Sequence, residues 1–134
     1  MFQPKELHIL IAEDDPDDAE TILESFEKHP AFKRVDIVIN GKELLNYLNG
    51  DGDKPDVILT DINMPIVNGI EALAAIHEND AISGIPTFVY STAVNPTYEA
   101  QSAALGTKGF LIKPFTLHEF DEIPNKILKI LETE

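Results

Sequence analysis

Residues 55–65 read Pro-Asp-Val-Ile-Leu-Thr-Asp-Ile-Asn-Met-Pro, and this stretch decides the fold class. Its apolar run from Val57 to Thr60 lacks polar alternation, which is typical of a strand covered by helices on both faces. The run leads directly into Asp61. The stretch therefore predicts a buried parallel strand that delivers a carboxylate at its carboxyl end.

Four further short apolar runs lie on either side of this one, and helix-like segments separate all five. The other predicted strands are Leu7–Ala12, Val35–Ile39, Thr87–Tyr90 and Phe110–Ile112. Regular alternation of strands and helices, with right-handed crossovers, gives a parallel sheet with helices on both faces. We therefore predict an α/β fold with a five-stranded parallel sheet.

Sequence signals also place the helices. Asp15 can cap the first helix and Pro16 suits its first position, while Asn95-Pro96 opens the fourth. A capping box at residues 116–119 opens the last helix, which Pro124 either kinks or splits into two pieces. The stripe expected on the third helix consists of Ile70, Leu73, Ala74 and His77.

Charge and composition exclude several classes of function. The 134 residues contain 10 Lys plus Arg against 24 Asp plus Glu, a net charge of −14 that opposes binding to nucleic acid or anionic lipid. The lack of Cys excludes disulfides, thiolate metal sites and Cys nucleophiles. We expect a single domain over residues 1–134 with no output domain, no membrane span and a cytoplasmic location.

Polar side chains follow four of the predicted strands. Glu13 and Asp14 come after the first, Asp61 after the third, Ser91 after the fourth and Lys113 after the fifth. In an open parallel α/β sheet, ligands bind at the carboxyl ends of the strands. We therefore expect three carboxylates, a hydroxyl and one lysine to share an edge of the sheet.

This combination indicates phosphoryl transfer. Two carboxylates about 4 Å apart repel by roughly 4 kcal/mol at an effective dielectric constant near 20, so three need a counter-ion, and Mg²⁺ with oxygen ligands is the natural candidate. Asp61 would attack phosphorus while Lys113 and Ser91 contact phosphoryl oxygens. Lys113 could instead form only a structural salt bridge.

The sequence resembles the receiver domain of two-component response regulators, specifically the stand-alone chemotaxis type. The motifs that carry the resemblance are residues 10–16 (LIAEDDP), 55–65, Asn68-Gly69, Ser91-Thr92-Ala93 and residues 109–115 (GFLIKPF). The resemblance implies a doubly wound, flavodoxin-like (βα)5 fold with strand order 2-1-3-4-5. It also implies a histidine kinase or phosphotransfer protein as phosphodonor.

The resemblance assigns roles at the acidic end of the site. It implies that Asp61 is the phospho-acceptor and a Mg²⁺ ligand, with Asp14 as a direct ligand and Glu13 acting through water. Asn63 would offer its backbone carbonyl to the metal. The family often has Asp where this chain has Glu13, so the site must accommodate an extra methylene group.

The resemblance also implies a switch. Ser91 is the expected switch hydroxyl, with Thr92 as the alternative, because Ser91 precedes Lys113 by 113 − 91 = 22 residues. Phe110 resembles the switch aromatic, although it could equally be a core residue. Lys113 is the phosphate partner, and a cis bond is expected before Pro114. Ala93 has no polar group to position attacking water, which predicts an aspartyl phosphate of intermediate lifetime.

The first hypothesis is a phosphorylation-dependent switch, not an enzyme, whose surface changes around the fourth helix, fifth strand and fifth helix for an unknown downstream protein. We expect a monomer or weak homodimer. The alternatives are a phosphate-independent scaffold and a flavodoxin-like cofactor carrier. Six acids among residues 13–20 oppose the cofactor carrier, because they would repel a flavin phosphate. Asp15, Asp17 and Asp18 are interpreted as a helix cap and first-turn acids.

Overall fold

The structure, a computed structural model, describes residues 6–92 and 95–133, and it has the predicted α/β architecture. Strands and helices alternate along the chain. In order they are β1 (Leu7–Ala12), α1 (Pro16–Glu27), β2 (Phe32–Val38), α2 (Gly41–Asn49), β3 (Val57–Asp61), α3 (Gly69–Glu78), β4 (Thr87–Ser91), α4 (Pro96–Ala104), β5 (Gly109–Ile112), α5 (Leu117–Phe120) and α6 (Ile123–Glu132).

The five strands form one parallel sheet in the order β2-β1-β3-β4-β5, which confirms the predicted topology. Ala12 of β1 pairs with Thr60 of β3, and Asp61 pairs with Tyr90 of β4. The carboxyl ends of β1, β3 and β4 therefore lie side by side at one edge of the sheet.

The core lies on both faces of the sheet, which explains the continuous apolar runs. Ile9 and Ile11 of β1 pack into the cluster beneath α1 and α6, while Leu10 and Ala12 pack into the cluster beneath α2 and α3. Every residue of β1, β3 and β4 is buried. In the described part of the chain, no helix has the length and apolar character to cross a bilayer.

Two elements differ from the sequence-based expectations. Strand β2 begins at Phe32, three residues early, because an edge strand accommodates the exposed Lys33 and Arg34. Helix α3 buries Ala72, Leu73 and Ile76, because it faces two core clusters at once. The expected stripe is confirmed at Leu73 and at Ile70, which is partly buried and packs against the cluster of Ile62, Leu73 and Val89. It is wrong at His77, which is exposed, and Ala74 is only half-buried.

Two further points concern prolines. The last helix is split rather than kinked, since α6 begins at Ile123 with Pro124 in its first turn. The expectation of a cis bond before Pro114 is wrong, because the described residues contain no cis peptide bond. The trans form is favoured by about 0.5–1 kcal/mol even before proline.

Gly69 ties the start of α3 to the end of β3. Its N–H donates to the Ile62 carbonyl at 2.8 Å. A Cβ at this position would lie 2.2 Å from the Asp61 carbonyl oxygen and 2.9 Å from the Ile62 Cα. Only glycine allows this approach, so the packing of α3 fixes the backbone that carries Asp61.

Replacing Gly69 by Ala is therefore expected to destabilise the fold by about 1–3 kcal/mol, because the backbone of β3 must shift. Urea unfolding measures the effect. Gly84→Ala is the matched control, since a Cβ there meets nothing within 4 Å. We expect the control to be neutral or stabilising by up to about 1 kcal/mol. Equal stability of the two variants would contradict the proposed packing role.

Candidate functional site

Three carboxylates meet at the carboxyl edge of the sheet. Glu13 and Asp14 follow β1, and Asp61 ends β3. One carboxylate oxygen of each lies within 4.8 Å of the others. Glu13 is fully buried and Asp61 is 7% exposed, whereas Asp14 is exposed to solvent. The structure therefore brings together the three acids that the strand ends predict.

Lys113, which follows β5, is the counter-charge of this cluster. Its Nζ lies 2.8 Å from Glu13 Oε1, 2.9 Å from Asp61 Oδ2 and 3.2 Å from Asp18 Oδ2. Burial alone would lower the pKa of Lys113, but hydrogen bonds to Glu13 and Asp61 outweigh it and raise the pKa. The lysine is buried and stays protonated. The structural salt bridge that the sequence analysis gave as an alternative is therefore present, with Glu13 and Asp61 as partners.

These ion pairs revise the expectation that the carboxylates depend on a divalent cation. Glu13, Asp14, Asp18 and Asp61 carry four formal negative charges and Lys113 carries one positive charge, so the cluster has a net charge of 1 − 4 = −3. Lys113 thus lowers the repulsion without cancelling it. The remaining charge favours a bound cation.

Glu13 has the most unusual environment in the cluster. Its Oε1 accepts a hydrogen bond from the Tyr90 hydroxyl at 2.5 Å as well as from Lys113, and its Oε2 accepts one from the Asp15 N–H at 3.1 Å. Burial and the nearby Asp61 charge raise the pKa of Glu13, although the hydrogen bonds from Lys113 and Tyr90 lower it. Glu13 is held by donors on both of its oxygens.

Sequence reasoning missed two residues of the site. Tyr90 was assigned only to a strand, yet a buried tyrosine hydroxyl needs a hydrogen-bond partner, which was the available signal. Asp18 was interpreted only as a first-turn acid, but it contacts Lys113. The sequence carries no signal that separates it from Asp17, because both acids lie in the first turn of α1. The assignment of Asp15 as the α1 cap is confirmed, since its side chain accepts from the N–H groups of Asp17 and Asp18.

The predicted switch residues lie beside β4 and β5. Ser91 ends β4 and is buried, and its carbonyl accepts the Lys113 N–H at 2.7 Å. Thr92 is exposed and lines a cavity of about 400 Å³ together with Lys113. Phe110 is half-buried and pairs with Val89 in register. It packs against the hydrophobic cluster formed by Ile62, Leu73 and Val89. Ala93 lies outside the described residues.

Comparison with known proteins identifies this arrangement. Residues 9–124 match the family described as the response regulator receiver domain. The chain belongs to this family. Receiver domains are signalling switches that accept a phosphoryl group from histidine kinases or phosphotransfer proteins, and they bind Mg²⁺ or Mn²⁺ at an acidic cluster.

Individual relatives agree with this assignment. The receiver domain is 33% identical over 139 residues to the two-component response regulator ARR15 of Arabidopsis thaliana, covering 96% of this chain and 66% of that protein. It is 33% identical over 114 residues to the Dictyostelium discoideum 3′,5′-cyclic-nucleotide phosphodiesterase regA, covering 84% of this chain. That alignment spans only 14% of the phosphodiesterase.

Solved structures show the same fold. The phosphorylated cyanobacterial phytochrome response regulator RcpA superimposes with a TM-score of 0.86 at 28% identity, covering 96% of each chain. The Mn²⁺-bound form of the response regulator Rcp1 gives a TM-score of 0.77 at 26% identity, covering 90% of this chain and 91% of that one. The resemblance inferred from the motifs is thus confirmed at the level of family and fold.

The residues of this receiver domain fit a hard divalent cation. The donors are all carboxylate oxygens, which Mg²⁺ and Mn²⁺ prefer. Among the described residues, Asp14 has no ion pair, so its charge is free to bind a cation. Asn63 is exposed two residues after Asp61, and its backbone carbonyl as a further ligand stays a prediction.

The unneutralised charge of Asp14 is expected to lower the melting temperature when no cation is bound. Asp14→Asn is expected to raise the melting temperature by about 2–4 °C in the presence of a chelator, because it removes repulsion from Glu13 and Asp61. Thermal unfolding measures the shift. Asp17→Asn is the matched control, since it removes the same charge from the first turn of α1, where an acid is favourable. A destabilised Asp14→Asn variant would contradict the repulsion argument.

Proposed function

We propose that Asp61 of this receiver domain accepts a phosphoryl group from a histidine kinase or phosphotransfer protein in a Mg²⁺-dependent reaction. The observation that carries the proposal is the convergence of Lys113 and two further carboxylates on Asp61, which is nearly buried at the end of β3. Glu13, Asp14, Asp61 and the Asn63 carbonyl are the groups that would hold the cation.

The contacts of Asp61 support its role as the nucleophile. Its Oδ1 accepts the Ile62 N–H at 2.7 Å, and its Oδ2 is paired with Lys113 at 2.9 Å. Attack by a carboxylate oxygen on phosphorus forms an O–P bond and breaks the P–N bond of a phosphohistidine donor, whose imidazole leaves. Bound Mg²⁺ would supply positive charge for the phosphoryl oxygens. Lys113 is already beside Asp61 and can pair with one of them.

The contacts of β4 and β5 support a switch. We propose that the Ser91 hydroxyl, rather than the exposed Thr92 hydroxyl, moves toward the phosphoryl group. The hydrogen bond from the Lys113 N–H to the Ser91 carbonyl couples the two strand ends. Because Phe110 and Val89 pack together, movement at the end of β4 reaches the surface formed by α4, β5 and α5. That surface is where a downstream protein would bind.

The phosphate-independent scaffold is the second candidate. The ion pairs of Lys113 with Glu13, Asp18 and Asp61 stabilise this edge of the sheet without any phosphoryl group. A chain that used the cluster only for stability would show the same contacts. Whether Asp61 can be phosphorylated distinguishes the switch from the scaffold. The stand-alone organisation, oligomeric state and cytoplasmic location stay predictions.

Intact mass spectrometry after incubation with a small-molecule phosphodonor tests the proposal. We expect the native chain to gain one phosphoryl group with Mg²⁺ and none with a chelator, and Asp61→Asn to gain none in either condition. Asp53→Asn, which changes a highly exposed aspartate remote from the cluster, is the control and should be modified like the native chain. Modification of Asp61→Asn to the native extent would refute the assignment of the acceptor.

A further inference from the structure

Tyr90 is a buried polar residue that has no role in the proposed phosphorylation reaction. Its side chain is fully buried in β4, one residue before Ser91 and in register with Asp61. Its hydroxyl donates to Glu13 Oε1 at 2.5 Å. The Lys113 Nζ lies 4.9 Å from the centroid of its ring. Tyr90 therefore contacts both the Glu13 carboxylate and the Lys113 ammonium.

The donors around Glu13 show what the tyrosine does there. A carboxylate offers about four lone-pair directions. The Tyr90 hydroxyl and Lys113 Nζ occupy Oε1, and the Asp15 N–H occupies one direction of Oε2. The carboxylate is thus fixed in orientation, and one direction on Oε2 is left for a further donor.

The three donors differ in how firmly they hold Glu13. The Lys113 ammonium also contacts Asp61 and Asp18, so Glu13 shares this donor with two other acids. The Asp15 N–H belongs to the turn that leads into α1 and holds the other oxygen. The Tyr90 hydroxyl comes from a central strand of the sheet, and Glu13 is its hydrogen-bond partner. Of the two donors to Oε1, Tyr90 is therefore the one that Glu13 does not share with another acid of the cluster.

We infer that Tyr90 is a positioning residue for the divalent-cation site, because its hydroxyl holds the Glu13 carboxylate in the orientation in which Glu13, Asp14 and Asp61 face one another. The inference rests on the proposed function, since it concerns the same site. Loss of an outer contact that orients a metal-binding group typically lowers metal affinity by about 10- to 100-fold. The loss expected here is at the lower end, because two other donors still hold Glu13.

The test is the Mg²⁺ affinity of Tyr90→Phe, which removes one hydroxyl and keeps the ring. Isothermal titration calorimetry on the folded protein, without phosphodonor, is expected to show about tenfold weaker Mg²⁺ binding. Tyr47→Phe is the matched control, because the Tyr47 hydroxyl donates to Asp36 Oδ2 at 2.7 Å outside the acidic cluster. Both variants are expected to lose some thermal stability, but only Tyr90→Phe loses affinity. Native affinity in Tyr90→Phe would overturn the inference.

A second background tests the same hydrogen bond from the other side. Glu13→Asp shortens the acid by one methylene group and withdraws it from Tyr90, while Tyr90 stays intact. Tyr90→Phe is expected to have no further effect on Mg²⁺ affinity in this background, and a tenfold effect there would overturn the inference. If the native chain binds Mg²⁺ but Asp61 is not phosphorylated, the proposed function fails. The Mg²⁺ affinities of the native chain and Tyr90→Phe still test the role of Tyr90, because they are measured without phosphodonor.

Discussion

The buried ammonium of Lys113 is the interaction on which the carboxyl edge of the sheet depends. It contacts Glu13, Asp18 and Asp61, which come from the ends of β1 and β3 and the first turn of α1. A buried carboxylate without a partner is costly, so the three acids can approach one another only because one lysine serves all of them. In the proposed function, the same ammonium would pair with a phosphoryl group on Asp61.

The backbone around this ion cluster is fixed by contacts that carry no charge. Gly69 brings α3 against the Asp61 carbonyl, and the Lys113 N–H is bonded to the Ser91 carbonyl. The acid and the lysine are therefore held by the sheet and its flanking helix, not by their mutual attraction alone. Such a frame keeps the carboxylates and the ammonium close together while individual side chains exchange partners.

The sequence predicts the fold and the acids of the site for a simple physical reason. Strands covered on both faces are continuous apolar runs, and parallel strands deliver their following residues to one edge, so Glu13, Asp14, Asp61 and Lys113 could be grouped without coordinates. The sequence does not reveal which charges pair. The contact of Asp18 with Lys113 and the hydrogen bond of Tyr90 depend on how α1 and β4 pack, and the face of α3 depends on two core clusters that it contacts together.

Lys113 and a divalent cation are proposed to share the neutralisation of one acidic cluster. Urea unfolding of Lys113→Met, with a chelator and with saturating Mg²⁺, tests it most directly, and the exposed Lys126→Met is the control. Lys113→Met is expected to lose about 3 kcal/mol of unfolding free energy in chelator, and Mg²⁺ is expected to stabilise this variant more than the native chain. Native stability in chelator, or equal stabilisation of both proteins by Mg²⁺, would contradict it.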